Sequence, residues 1–299
     1  MRALLALAFA CLLVTAGCSA LVSSGDPTGP APTSTDTLTP VPYTPTATPT
    51  PYPPGLEANG EITGLELATA HVEALQNTSF TVVEVRALHY ENGSVVQNIT
   101  ERARIGTDRR RYRFTLAATR RFSGNGTRTQ EVVAASNGTL VVEKRDWDGG
   151  HPSYSLALDP AGTRIDPLDL YHGSPRNRDR LIRLYEVGEF SVTRTAEGFR
   201  LRSSEPLRVD GGLFGAPLAH PTVTSITVSL TPAGRVRWYR MAFEAEFWGE
   251  PVTGVERVRY SSVGNTTVPE PAWFEETVAG WEAQRGENTT ESSRALAAR

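Results

Sequence analysis

Cysteine is nearly missing from this chain. There are 2 Cys in 299 residues, Cys11 within an apolar N-terminal run and Cys18 just behind it. If the run is removed on export, one thiol remains, and no internal disulfide can form. Thiolate metal clusters and Cys–His nucleophile pairs are excluded for the same reason. Lysine is also scarce: Lys144 is the only one among 30 Lys+Arg, so the positive charge is carried almost wholly by guanidinium, which stays protonated. Net charge is −3, which offers no overall basic field for nucleic acid. Histidine pairing is lacking too. His71, His89, His151, His172 and His220 have no second His or acid at metal-ligand spacing. Ser153 and Ser155 are not in a Gly-x-Ser-x-Gly elbow, and Gly211 to Gly215 lacks a Gly-Lys-Ser/Thr ending. Asp146 to His151 has acids and glycines without the ligand spacing of a calcium loop. No catalytic residue, metal or cofactor is therefore expected.

The N-terminus carries an address. Arg2 is followed by Ala3 to Val14 without a charge. That run is too short for a bilayer core of ~30 Å, which needs about 20 residues, and it reads as the h-region of a signal peptide. Leu13-Val14-Thr15-Ala16-Gly17-Cys18 then supplies the small residues of a lipoprotein cleavage box. The expected order is a signal peptide over 1–17, lipid on Cys18 and a stalk over 18–55. From Ser23 to Pro54 the stalk is almost entirely Pro, Thr, Ser, Gly and Ala, with Asp26 and Asp36 its only charges. Such a segment has little to bury against its ordering entropy. Proline would hold it extended, at about 3.1 Å per residue.

Asparagine is concentrated in one pattern. Of nine Asn, seven begin Asn-x-Ser/Thr: Asn77, Asn92, Asn98, Asn125, Asn137, Asn265 and Asn288. Chance would give about two, so N-glycosylation is expected at several. Asn92-Gly93, Asn125-Gly126 and Asn137-Gly138 are also type I′ turn pairs.

A single β-rich domain is expected over 56–285, with a flexible tail over 286–299. Ile62, Leu65, Ala68, Val72 and Leu75 recur at helical spacing over Glu61 to Gln76. Strands are predicted over Ser79–Tyr90, Ser94–Ile105, Arg111–Thr119, Gln130–Ala135 and Thr139–Lys144. A helix follows Ser174-Pro175, with Leu181, Ile182, Leu184 and Tyr185 as its stripe. Further strands are predicted over Phe190–Thr195, Phe199–Ser203, Thr222–Leu230, Val236–Trp248 and Val255–Val263, then a helix over Trp273–Gln284. Short strands and tight turns make an antiparallel meander, α+β and mainly β. The cleanest alternation puts Tyr239, Met241, Phe243, Ala245 and Phe247 on one face, with Trp238, Arg240, Glu244, Glu246 and Trp248 on the other.

This order of parts resembles the haloarchaeal lipobox lipoproteins of unassigned function. The resemblance rests on the lipobox, the stalk, Tyr52-Pro53-Pro54-Gly55-Leu56, Ala70-His71 and Ser79-Phe80-Thr81. It extends through Tyr260-Ser261-Ser262-Val263-Gly264-Asn265-Thr266-Thr267-Val268 and Pro271-Ala272-Trp273-Phe274-Glu275-Glu276. That family is similar in layout to LolA/LppX-like lipoproteins. The resemblance implies an archaeol-type lipid on Cys18 and a curved antiparallel sheet, an open half-barrel, with helices on its concave face. It assigns no catalytic residue. Under it, Leu65, Val72, Leu75, Tyr239, Met241, Phe243 and Phe247 would line a cavity for an apolar, lipid-like ligand. The alternative is a closed core in a structural or interaction glycoprotein of the cell envelope. The expected partners are the membrane, through Cys18, and an apolar ligand or an envelope protein; nucleic acid is not among them.

Overall fold

A computed structural model describes residues 51–122, 126–158, 163–166, 175–209 and 218–284. The signal peptide, Cys18, most of the stalk, Asn125, His172, the glycines 211–215, Asn288 and the expected tail lie outside the described residues.

Twelve strands form one antiparallel sheet in the order β6-β5-β4-β3-β2-β1-β12-β11-β10-β8-β7, with β9 on the side of β10. The strands are β1 Phe80–Tyr90, β2 Val95–Ile105, β3 Arg111–Phe122, β4 Gly126–Asn137, β5 Val141–Trp147, β6 Ser153–Leu156, β7 Ser191–Thr195, β8 Gly198–Ser203, β9 Leu207–Arg208, β10 Ala219–Leu230, β11 Val236–Phe247 and β12 Glu250–Ser261. The order contains two meanders. They are joined by one long-range seam, β1 with β12, in register from Thr81↔Ser261 to Tyr90↔Val252. The sheet is curved and open, as expected.

The β1–β2 and β4–β5 hairpins turn at Asn92-Gly93 and Asn137-Gly138, as expected, but not as type I′ turns. In the pairs Asn92-Gly93 and Asn137-Gly138 only the glycine has positive φ, 80° and 101°, whereas a type I′ turn needs both. The 90–94 loop is a three-residue loop closed by Gly93 N–H to the Tyr90 carbonyl. Two adjacent pairs have both φ positive: Asp148 at 55° with Gly149 at 68° after β5, and Trp248 at 52° with Gly249 at 78° between β11 and β12. Tryptophan there hides the turn from a reading of turn residues.

Two helices pack on the inner, concave face: α1 (Gly64–Leu75) and α2 (Pro175–Glu186). Helix α1 buries Leu67, Ala68, Ala70, His71 and Leu75. The expected stripe was rotated: Leu65 is 55% exposed and points to solvent. Helix α2 buries Leu181, Leu184 and Tyr185 as its periodicity predicted. The last helix, α3, runs through 273–284 and packs on the outer face. There Phe274 joins Ala135, Leu140 and Val142 in a small core of its own.

Arg109 closes α1. Its guanidinium donates to the carbonyls of Leu75 and Thr78 and sits 4.6 Å over the Phe80 ring. A cation there satisfies helix-end carbonyls and opposes the negative end of the dipole. Tyr52 stacks on Phe199 at 5.0 Å between centroids, and Pro53 is buried, so the last residues of the expected stalk pack on the domain.

Candidate ligand-binding cavity

The inner face divides into a closed half and an open half. In the closed half Met241, Phe243, Ala245 and Phe247 of β11 are buried with Val223 and Ile226 of β10. Phe243 lies over its cross-strand partner Gly254, where even a Cβ would meet the ring at 2.1 Å. The alternation predicted for β11 is therefore correct, but it fills a core. Met241, Phe243 and Phe247 line no large cavity, nor do Val72 and Leu75 of α1. Of the seven residues expected to line one, Tyr239 alone does.

The cavity lies in the other half, between β1–β5, the β11–β12 hairpin and α2. It encloses about 270 Å³, just below the usual range for small-molecule sites, ~300–1,000 Å³. Val82, Ala103, Ile105, Phe114, Leu181 and Val258 give it an apolar wall. Small side chains make the room: Ala103 of β2 and Ala134 of β4 both flank Phe114 of β3 in register.

One wall of the cavity is charged. Glu84 and Arg86 point inward from β1, Glu101 from β2 and Glu256 from β12. Registry sets Glu84 directly opposite Glu101, and Arg86 opposite Glu256. Arg180 of α2 completes the group, giving two N–H···O bonds to Glu84, at 2.9 and 3.0 Å, and an ion pair to Glu256. Arg86 contacts Glu84 at 2.7 Å and donates to Glu101 at 3.0 Å. The Tyr239 hydroxyl donates to Glu256 at 2.6 Å.

Burial dominates the chemistry of this wall. It raises the Glu256 carboxyl above its ordinary range, against the pull of Arg180. It also raises Glu101, with the Glu84 charge adding to the effect. Tyr239 is pushed well up by burial and by Glu256, so it stays a donor. Burial opposes charge on Arg180, but Tyr239, Glu256 and Glu84 outweigh it and the guanidinium remains cationic.

His71 and the 146–151 loop are held by structural partners. His71 is 1% exposed and its Nδ1 accepts the Val236 N–H at 3.0 Å. Burial lowers its pKa to about 3, with Arg235 adding to the shift, so it is a neutral core side chain. The Asp148 carboxylate is taken by the Thr129 N–H at 2.7 Å and by Arg128 at 2.9 Å. No group of metal-ligating side chains occurs among the described residues. The described sequon asparagines, Asn77, Asn92, Asn98, Asn137 and Asn265, are all exposed.

The charged wall was readable in principle. In Phe80, Val82, Glu84, Arg86 and Leu88, and again in Val252, Glu256, Val258 and Tyr260, the phase of alternation places acids and an arginine on the apolar face.

No family model matches the sequence, and no curated protein matches it. Among solved structures the chain is similar to a DUF1329 family protein from Desulfovibrio piger, at 9% identity and TM-score 0.28, over 72% of this chain and 97% of that one. It is also similar to a LolA superfamily protein from Nitrosomonas europaea, at 10% identity and TM-score 0.22, over 70% and 96%.

Proposed function

We propose that this chain is an exported lipoprotein, anchored by lipid on Cys18, whose β domain binds an apolar, lipid-like ligand in the inner-face cavity without catalysis. The carrying observation is the 270 Å³ cavity itself, apolar over most of its lining. A volume of that size takes a single chain or a small ring, not a whole bilayer lipid. The anchor reading rests on the lipobox and on Cys18 being the only cysteine outside the leader. Exposure of the described sequons supports decoration by glycans. An extracellular place on a membrane follows from the same features.

The ligand test is displacement and filling. A fluorescent polyene fatty chain should bind the wild type, with emission rising on entry to the cavity. Ala103→Phe and Ala134→Phe each put a ring where the chain would lie, and should abolish binding without lowering the melting temperature by more than a few degrees. Equal binding by wild type and both variants would remove the cavity from the function and leave the envelope-glycoprotein reading, which the closed packing around Phe243 favours. For the anchor, Cys18→Ser should move the protein from the membrane fraction to the medium; continued membrane association would refute it.

A further inference from the structure

The charged wall has a sign. Three carboxylates line the cavity, those of Glu84, Glu101 and Glu143, against one guanidinium, that of Arg180. Arg180 is already engaged by Glu84 and Glu256. Its side chain is 24% exposed, with Nη1 donating to both Glu84 oxygens and Nη2 paired with Glu256. The other cations that act on the acids are not among the lining residues: Arg86, which bridges Glu84 and Glu101, Arg145, which pairs with Glu143, and Arg120, which acts on Glu101. A ligand entering over Val82 and Phe114 therefore meets carboxylate oxygens, with no unengaged donor cation among the lining residues.

Glu101 is the acid with the least support. One Arg86 nitrogen reaches it, and Glu84 stands directly opposite on β1. The groups that act on it are Glu84 and Arg86 of β1, Arg120 of β3 and Arg180 of α2. Like charges opposite each other across a strand pair are destabilising, and a carboxylate in an apolar wall is poorly solvated.

We propose, on the basis of the cavity reading above, that the ligand is a cationic amphiphile: a single apolar chain bearing a protonated amine, whose head pairs with Glu101 and Glu84 at the charged wall. An ammonium group has three donors and no acceptor, which matches a lining of carboxylate oxygens. An anionic head would face Glu84, Glu101 and Glu143, and the one lining cation, Arg180, is already paired with Glu84 and Glu256. Binding is coupled to protons. Where Glu101 is protonated in the empty cavity, the arriving ammonium takes the place of that proton: the O–H bond breaks, the proton goes to solvent, and an ammonium–carboxylate pair forms. Burial and Glu84 hold Glu101 above its usual range, so amine binding tightens as pH rises through that raised value and levels off above it.

The test is calorimetric titration of the full-length chain carrying Cys18→Ser, a change outside the described domain, with dodecylamine, dodecanol and dodecanoate below their micellar concentrations. Dodecylamine should bind at least ~10-fold more tightly than dodecanoate, the low end for a desolvated charge pair. Heats in two buffers of different ionisation enthalpy should show proton release on amine binding. Glu101→Gln should erase the preference for dodecylamine over dodecanol and the proton release. Dodecanoate binding as tightly as the amine, or an amine preference that survives Glu101→Gln, would overturn the head-group assignment and leave the cavity intact. Failure of all three probes to bind would overturn the cavity reading itself.

Discussion

Removing Arg180 should unmask the burial of Glu256. Arg180→Met keeps the length and apolar stem of the side chain and removes its charge. Three contacts go with it, two to Glu84 and one to Glu256. The Glu256 side chain is 1% exposed and would keep the Tyr239 hydroxyl bond and the charge of Arg86 opposite it. Glu84, 14% exposed, retains Arg86. Breaking a buried pair from one side costs about 3–5 kcal/mol. For a domain of this size each kcal/mol moves the melting point by about 2–4 °C, so a drop of about 6–20 °C is expected at neutral pH.

The pH dependence gives the argument its sign. Without Arg180, burial and the Glu84 charge outweigh the Tyr239 hydrogen bond and Arg86, and the folded pKa of Glu256 rises further above the unfolded value of about 4.3. A group with a raised folded pKa supports the fold fully below its unfolded value and loses that support as pH rises through the folded one. The deficit of Arg180→Met against wild type should therefore be small near pH 4 and grow toward pH 8. Adding Glu256→Met should recover most of the loss, because a paired removal leaves no lone charge. Chemical denaturation of the wild type and the two variants from pH 4 to 8 measures this. A loss below about 1 kcal/mol at pH 7, or a loss that is the same at every pH, would refute the reasoning, since either result means Glu256 is not held by Arg180.

Other parts of the fold carry their own tests. Gly254→Ala sets a methyl group against the Phe243 ring and should cost about 1–3 kcal/mol by overpacking, with Phe243→Leu in the same chain restoring part of it. On the outer face Arg240 stands opposite Arg257, and neither has an acidic partner among the described residues. Arg257→Thr should stabilise by about 0.2–1 kcal/mol, and the gain should shrink in 1 M salt, where the screening length falls to about 3 Å. Phe274 is 1% exposed in the outer core, so Phe274→Ala should cost about 3–5 kcal/mol and raise hydrogen exchange in α3 and β5 while ligand binding is kept.

The strands that alternate were legible because one face of each is buried. Inner positions of β11 from Tyr239 to Phe247 were assigned correctly, and so was the stripe of α2. What failed is instructive. In α1 the residues Leu65 and Leu67 compete for the core, and a stripe drawn through Leu65 satisfies helical spacing as well as one through Leu67. Only the neighbours decide: the approach of Leu67 and Ala70 to Gly234 and the bond from the Val236 N–H to His71 fix the rotation. The β11–β12 turn was missed because Trp248 accepts a positive φ that is usually met by Asn, Asp or Gly. Strand β6 was missed because it is four residues at the sheet edge, with no apolar face to reveal it.

The cavity was misplaced for a deeper reason. Reading a face as apolar identifies what can be buried, not whether anything is left unfilled. Large side chains on β11 meet a glycine on β12, and Phe243 fills the gap that Gly254 leaves, so the most apolar part of the sheet is solid. Space remains where the lining is small, at Ala103, Ala134 and Ala157, and where acids interrupt the apolar row. A paired carboxylate cannot be packed over as tightly as a leucine, because its oxygens need donors in fixed directions. The same residues that cost the fold stability therefore hold the cavity open and give it a polar end. Signs of a site lay in the departures from the pattern, Glu84, Arg86, Glu101 and Glu256 on a face that should have been apolar, more than in the hydrophobic run that followed the pattern best.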